Sequence, residues 1–293
     1  MQPLLDLDIA AWDGAIDTDT QARAADALED GRVVFFPRLP FVLEATELRL
    51  LDPAVSDGRA KNVTWFPDSR VLKGSAESAD RAALTALLER YAAAARRFVE
   101  TLFPSYAGAL AWGPATLRPV EIAGRPAPSW RRDDTRLHTD AFPSRPTGGT
   151  RILRVFSNVD PAGTKRVWRV GGRFEDFAAP RVRDVRGLMP GEATLLATLG
   201  ITGGRRSLYD HLMLALHDRM KSDAAYQRDG VAAEIAFPPG TSWMVFTDQV
   251  PHAAIAGKNA LEQTFHLPVS AQLYPERAPL RVLERLRGER LAP

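Results

Sequence analysis

The 293-residue chain contains no cysteine, which excludes disulfides, zinc–thiolate sites and thiol nucleophiles, and suits a reducing compartment. Long apolar runs are missing too: nothing approaches about 18 consecutive hydrophobic residues, so no membrane-spanning segment is expected. The first residues carry Asp6 and Asp8 and lack a basic stretch ahead of an apolar core, so they do not read as a signal peptide. A cytoplasmic location is the expectation. Neither sign of charge prevails: 38 Lys and Arg stand against 36 Asp and Glu. No lysine–arginine run resembles a nucleic-acid arm, so nucleic acid is not an expected partner. Histidine is also scarce, at five residues, which makes any metal site tractable.

Proline is the residue in excess. Twenty-two of them favour a fold of many turns over a helical bundle. The spacing predicts a helix over 17–30, a buried strand over 33–37 ended by Pro37, and a short helix over 46–51. The long helix is 77–102, where Leu84, Leu87, Leu88, Tyr91, Ala95, Phe98 and Leu102 form one stripe. From Ala115 onward the pattern changes to short β-type runs punctuated by Pro and Gly, predicted at 116–122, 135–142 and 150–159. Further strands are expected at 234–237, 241–246 and 263–267. Residues 165–186, rich in arginine and aromatics, read either as an arm over a site or as a solvated insertion. A helix with Leu208, Leu212, Leu216 and Met220 covers 207–221, and a basic helix covers 277–290. With no repeat and no linker, one domain over 1–293 is expected, mainly β with flanking helices, as an antiparallel sandwich or barrel.

The chemistry centres on Arg136-Leu137-His138-Thr139-Asp140-Ala141-Phe142, which holds the one His-x-Asp of the chain. On a strand, His138 and Asp140 point to the same side about 7 Å apart, so an imidazole and a carboxylate converge on one metal. His252 follows the apolar run 241–251 and its proline turn, a good place to present a third ligand. His211 and His217 lie six apart on a helix and do not share a face. Two histidines and a carboxylate leave coordination positions open. They suit Fe(II) with a bidentate 2-oxo acid and O2, or Zn²⁺ with a hydrolytic water. A 2-oxo acid also requires a cation for its distal carboxylate. Arg154, flanked on its own face by Ile152 and Phe156, is the candidate, with Arg151 on the opposite face as competitor. Thr264 and His266 share a strand face and are candidates for added cosubstrate hydrogen bonds.

The run Ser129-Trp130-Arg131-Arg132-Asp133-Asp134-Thr135-Arg136-Leu137-His138-Thr139-Asp140-Ala141-Phe142-Pro143-Ser144-Arg145-Pro146, continued by Gly149 to Val159, resembles the Kdo 3-hydroxylases. Trp168-Arg169-Val170-Gly171 and Lys61-Asn62-Val63-Thr64-Trp65 are also similar to that family, and the resemblance runs from about residue 30 to 275. These are Fe(II)/2-oxoglutarate-dependent dioxygenases of the sugar acid 3-deoxy-D-manno-oct-2-ulosonic acid (Kdo) in lipopolysaccharide. The resemblance implies a double-stranded β-helix (jelly-roll, cupin-like) core, with His138, Asp140 and His252 as iron ligands, 2-oxoglutarate as cosubstrate with O2, and hydroxylation at C3 of Kdo on lipid A to give Ko. It favours Arg154 for the cosubstrate. Trp130, Arg131, Arg132 and Lys61 are the candidates for gripping an acidic, phosphorylated substrate. An amphipathic substrate further implies peripheral contact with the cytoplasmic face of the inner membrane, for which the basic 277–290 helix is the candidate. Other readings of the same residues are an oxygenase of another sugar acid or a protein, a zinc-dependent hydrolase, and a jelly-roll carbohydrate-binding module.

Overall fold

The structure, a computed structural model, describes residues 2–189 and 191–292. In chain order its strands and helices begin with β1 (Leu4–Asp6), α1 (Thr18–Glu29), β2 (Val33–Phe36), β3 (Val63–Phe66), β4 (Val71–Lys73), α2 (Arg81–Leu102), β5 (Ala111–Arg118) and β6 (Arg151–Asn158). They continue with β7 (Arg166–Gly171), α3 (Phe174–Ala178), α4 (Glu192–Thr198), α5 (Leu208–Ser222) and α6 (Ala224–Asp229). The chain closes with β8 (Val231–Phe237), β9 (Ser242–Phe246), β10 (His252–Ala256), β11 (Ala260–Leu267) and α7 (Pro279–Arg287). Among the described residues, eight strands form a large mixed sheet in the order β1-β2-β9-β6-β11-β5-β3-β4, and β10-β7-β8 form a smaller one. The small sheet covers part of the large one, which makes a jelly roll with helices on its outside.

Alternation along the strands decides which side chains meet which layer. On β6, Leu153 and Val155 face outward into a core shared with α1 and the C-terminal half of α2, where Phe98, Val99 and Leu102 are buried. Full burial of side chains of this size is worth roughly 1.5–3 kcal/mol each. The stripe predicted for the long helix is this buried face. The helix starts at Arg81 rather than at 77, because the Asp80 side chain accepts from the Ala83 N–H and caps it there. On the inner side, Phe156 packs with Trp168, Val170, Ile235, Phe237, Trp243 and Val245, which glues the two sheets together. This packing covers only the β9–β6 half of the concave face. Toward β11, β5 and β3 the inner face stays open, as a groove.

Three expectations need correction. The 135–142 run is not a strand: it makes a single bridge, His138 to His252, because its remaining backbone groups turn to other partners. The strand expected at 116–122 runs instead over Ala111–Arg118 and pairs with both β11 and β3. The 165–186 stretch is neither arm nor insertion, since its first residues are β7, the middle strand of the small sheet. Gly257 matters to that placement. With φ +102 it turns β10 into β11 so tightly that an added Cβ would sit 2.7 Å from the Lys165 carbonyl oxygen and 2.8 Å from the Arg166 Cα. The basic helix near the C-terminus buries Leu280, Val282 and Leu283 in one apolar cluster with residues of α3 and α5, and pairs Arg285 with Glu175 and Arg281 with Glu284. Among the described residues, no helix is long and apolar enough to cross a membrane.

Candidate metal centre

His138 and His252 are joined backbone to backbone: His138 N–H donates to the His252 carbonyl at 3.1 Å, and His252 N–H to the His138 carbonyl at 2.9 Å. The Asp140 N–H donates to the Thr247 carbonyl at 2.7 Å. These few bonds do what strand pairing was expected to do. Ligand atoms from His138, Asp140 and His252 all lie within 4.8 Å of one another, and all three residues are buried. The tautomers follow from the partners. His138 Nδ1 lies 2.7 Å from the Arg136 carbonyl and His252 Nδ1 2.9 Å from the Val250 carbonyl. A carbonyl only accepts, so each Nδ1 carries the proton and each Nε2 presents its lone pair. Trp168 stacks on His252 at 5.1 Å, and His217 meets His138 edge-on at 5.4 Å, which together fix the planes of both rings.

Burial, joined for His138 by the neighbouring His252 and Lys221, holds the imidazole pKa values below their ordinary range. Both rings are therefore neutral donors at neutral pH. For Asp140 burial opposes the charge, but the Arg154 guanidinium, followed by His252 and His138, outweighs it and holds the carboxyl well below its usual range. Arg154 Nη2 stands 2.8 Å from Asp140 Oδ2, at an angle that leaves this buried oxygen without a hydrogen-bond donor. Two neutral nitrogens, one ionised carboxylate and an under-satisfied carboxylate oxygen at one point fit a divalent transition metal. One consequence is testable in the metal-free protein. The unfolded chain binds protons on His138 and His252 that the fold refuses, so stability is full above the ordinary histidine range and falls as pH drops below about 6.5. Urea denaturation is expected to show this as a midpoint that falls steadily as the pH is lowered through and below that range. Asp140 and Glu262, whose folded pKa values are also lowered, extend the loss as pH falls further through their folded values.

The arginines divide sharply. Arg151 is fully buried on the outer face, bonded to Asp248 at 2.7 Å, Gln249 and Gln272, with its guanidinium 3.8 Å over the Phe246 ring. It does not reach the metal side. Arg154 faces inward and spans two carboxylates, Asp140 and Glu262, each at 2.8 Å. Three further residues complete the cavity: Arg118, Arg166 and Trp168 line the same space of about 240 Å3 as the three ligands. The sequence does not single out Arg118 and Arg166 as site residues, and Trp168 enters it only through the family resemblance. Arg118 is paired with Glu262. Arg166 is 3 % exposed and donates to the Gly257 carbonyl at 2.9 Å, yet it has no ion pair among the described residues. Burial, then the like charge of Arg118, pushes its pKa down to about 9. The Trp168 Nε1–H is buried without a partner. A buried cation without an ion pair and a buried donor without an acceptor, among the described residues, describe a space shaped for an anion. The signal for this was the Arg-x-Trp of 166–168 on a strand, whose alternation puts both side chains on one face.

A second space of about 400 Å3 adjoins the first and shares Arg118, Phe142 and Arg154 with it. It is the open groove of the large sheet. Thr264 and His266 line it, with Thr64, Thr116, Phe66 and Arg145. Lys61 borders the metal cavity, bonded to Asp134 and to the Arg132 carbonyl. Trp130, Arg131 and Arg132 form a short turn outside both cavities, where Arg131 pairs with Asp218 and stacks on Trp130.

Residues 11–290 match the family model of 3-deoxy-D-manno-oct-2-ulosonic acid (Kdo) hydroxylase. None of the curated proteins matches. Among solved structures, the chain is similar to the Kdo hydroxylase KdoO, described as a non-heme Fe(II) alphaketoglutarate dependent dioxygenase. A complex of that protein with alphaketoglutarate and Fe(III) is 46% identical, over 99% of this chain and 98% of that chain, with a TM-score of 0.94. A complex with succinate and Fe(III) and an apo structure give the same identity and coverage, with TM-scores of 0.94 and 0.95. Identity at this level over nearly the whole length goes beyond a shared fold: the chain belongs to the Kdo hydroxylase family.

Proposed function

We propose that the protein is an Fe(II)/2-oxoglutarate-dependent dioxygenase that hydroxylates Kdo at C3 on a lipid A carrier, giving Ko, succinate and CO2. The observation that carries the reading is the pairing, in one buried cavity, of a two-histidine, one-carboxylate set with an Arg166 that lacks an anionic partner. The family match supplies the sugar.

His138 and His252 hold the iron through Nε2 and Asp140 through its carboxylate. Iron, 2-oxoglutarate and O2 supply the oxidising chemistry, in which the 2-oxo acid becomes succinate and CO2 as a C–H bond becomes C–OH. The protein's own work is positional. Arg154 keeps Asp140 ionised and aimed, and its second carboxylate, Glu262, stops it from swinging away. Arg166, with Arg118 beside it and Arg154 at the metal end, takes the distal carboxylate of the cosubstrate. Its buried charge is then matched for the first time. Trp168 walls the cavity and excludes water from the reacting face. The threonines of the open groove, with Arg145 and Phe66, offer hydroxyls, a cation and an apolar face to a polyhydroxylated acid.

The test is spectroscopic and chemical. Without oxygen, Fe(II) and 2-oxoglutarate added to the protein should produce a weak visible charge-transfer band. With oxygen and Kdo-lipid A, succinate should form in step with a product heavier by one oxygen. No band and no succinate would sink the reading. Arg166→Met is expected to raise the 2-oxoglutarate concentration needed for the band by roughly a hundredfold, the loss of a charge-assisted contact to a buried anion, while iron affinity stays within a few-fold. A band with unchanged 2-oxoglutarate dependence would move the carboxylate site elsewhere.

A further inference from the structure

Eight large apolar side chains stand exposed among the described residues, and four of them, Met189, Leu195, Leu199 and Ile201, belong to α4 and its flanks. Their exposures are 56%, 59%, 62% and 54%. Leu195 and Leu199 are four residues apart and so share one face of the turn-and-a-half they occupy. The backbone under them is satisfied locally: Leu199 N–H donates to the Leu195 carbonyl and Ile201 N–H to the Leu196 carbonyl, both at 3.0 Å. A segment that meets its own hydrogen bonds while presenting leucines outward is costly in water and well suited to a lipid interface.

Charge points the same way. Arg186 precedes the apolar residues, with a side chain 71% exposed, and Arg205 and Arg206 follow them. Glu192 is the one acid between Arg186 and Arg206; it accepts from the Met189 N–H at 2.9 Å and lies 3.8 Å from the Arg186 guanidinium. The three arginines Arg186, Arg205 and Arg206 against this one carboxylate leave the segment a net charge of +2. Cations thus bracket an apolar strip, the arrangement in which arginines meet anionic headgroups while leucines enter the acyl boundary. Position supplies the function. Gly203 N–H donates to the Ser144 carbonyl at 2.8 Å and Arg206 Nη2 to the Pro143 carbonyl at 2.7 Å. Both carbonyls belong to the stretch that carries Phe142, Arg145 and Thr147 into the wall of the open groove. The apolar strip is therefore tied to the groove's mouth. The basic helix α7, the candidate from sequence, has its apolar face buried and several arginines paired, so it offers a membrane far less.

We propose that the strip formed by Met189, Leu195, Leu199 and Ile201, bracketed by Arg186 and Arg205, is the surface by which the enzyme sits on an anionic lipid layer. This rests on the Kdo-lipid reading above, and it places the groove where a sugar anchored by acyl chains emerges from the headgroups. The test pairs the wild type with Leu195→Gln/Leu199→Gln, both exposed positions away from the metal and the groove lining. Sedimentation with phosphatidylcholine vesicles containing about one-third phosphatidylglycerol should show salt-sensitive binding that the variant loses by at least about tenfold. Turnover of Kdo-lipid A embedded in those vesicles should fall with it, while turnover of a deacylated, water-soluble Kdo disaccharide stays unchanged. Equal vesicle binding by the two proteins overturns the proposal. So does a drop in sedimentation-velocity mass for the variant, which would make the strip a contact between copies. Wild type inactive on both sugars would instead count against the Kdo reading, with vesicle binding still deciding this one.

Discussion

Asp140→Ala is expected to lower turnover by at least about a thousandfold and to abolish the anaerobic Fe(II)–2-oxoglutarate band. The side chain is the one carboxylate of the buried ligand set among the described residues; Asp134 lines the same cavity but is not part of that set. Removing it takes away the charge that offsets the metal, and leaves neutral nitrogens that hold Fe(II) weakly. The same change frees one arm of Arg154, which then holds Glu262 alone. Glu262 then faces both Arg154 and Arg118, so the variant should fold with some loss of stability and a far-ultraviolet spectrum like that of the wild type. Asp140→Asn separates the two roles, since it keeps the shape and removes the charge. It should lose the band nearly as fully as alanine does. A variant at this position that retained iron and activity would show that another group supplies the anionic ligand.

Arg151→Ala should do the opposite, damaging the fold before the chemistry. Arg151 is fully buried and holds Asp248 at 2.7 Å, while the Ile152 N–H is the other donor to that carboxylate, at 3.2 Å. Taking away the guanidinium strands a buried charge, which costs about 3–5 kcal/mol. For a chain of this size that is a fall in the thermal midpoint of roughly 5–8 °C. Below that midpoint, the concentration of 2-oxoglutarate needed for the band should be unchanged, because the side chain lies on the far face of the sheet from the metal. Arg151→Met combined with Asp248→Leu removes both charges and should recover much of the lost stability. A shift in 2-oxoglutarate dependence without a loss of stability would return Arg151 to the cosubstrate site.

These two residues show how far alternation carries. Arg151 and Arg154 are legible in sequence as lying on opposite faces of one strand, but not as to which face holds the cavity. That depends on where α2 docks and where the small sheet closes, contacts made by segments well separated along the chain, α2 at 81–102 and β8 at 231–237 among them. The strand expected around His138 shows the limit from the other side. Its His-x-Asp was read correctly as a converging pair, yet the convergence comes from one bridge to His252 and one bond to Thr247 rather than from a ladder. Arg166 and Trp168 lie in a stretch that sequence alone leaves open between an arm over a site and a solvated insertion, and only the pairing of β10 and β8 on its two sides makes it a wall of the cavity.

What the sequence determined by itself is what short-range periodicity and residue chemistry encode. The apolar stripe of α2, the strands β6, β9 and β11, and a donor set of two histidines and one carboxylate are all of that kind. What only the tertiary structure decided is which charges are left without a partner. Arg154 became an anchor for Asp140 because Glu262 arrives from β11. Arg166 became a buried cation without an ion pair among the described residues because Arg118 and Arg154 both hold Glu262. Charge compensation is a sum over neighbours in space, and no spacing along a chain contains it.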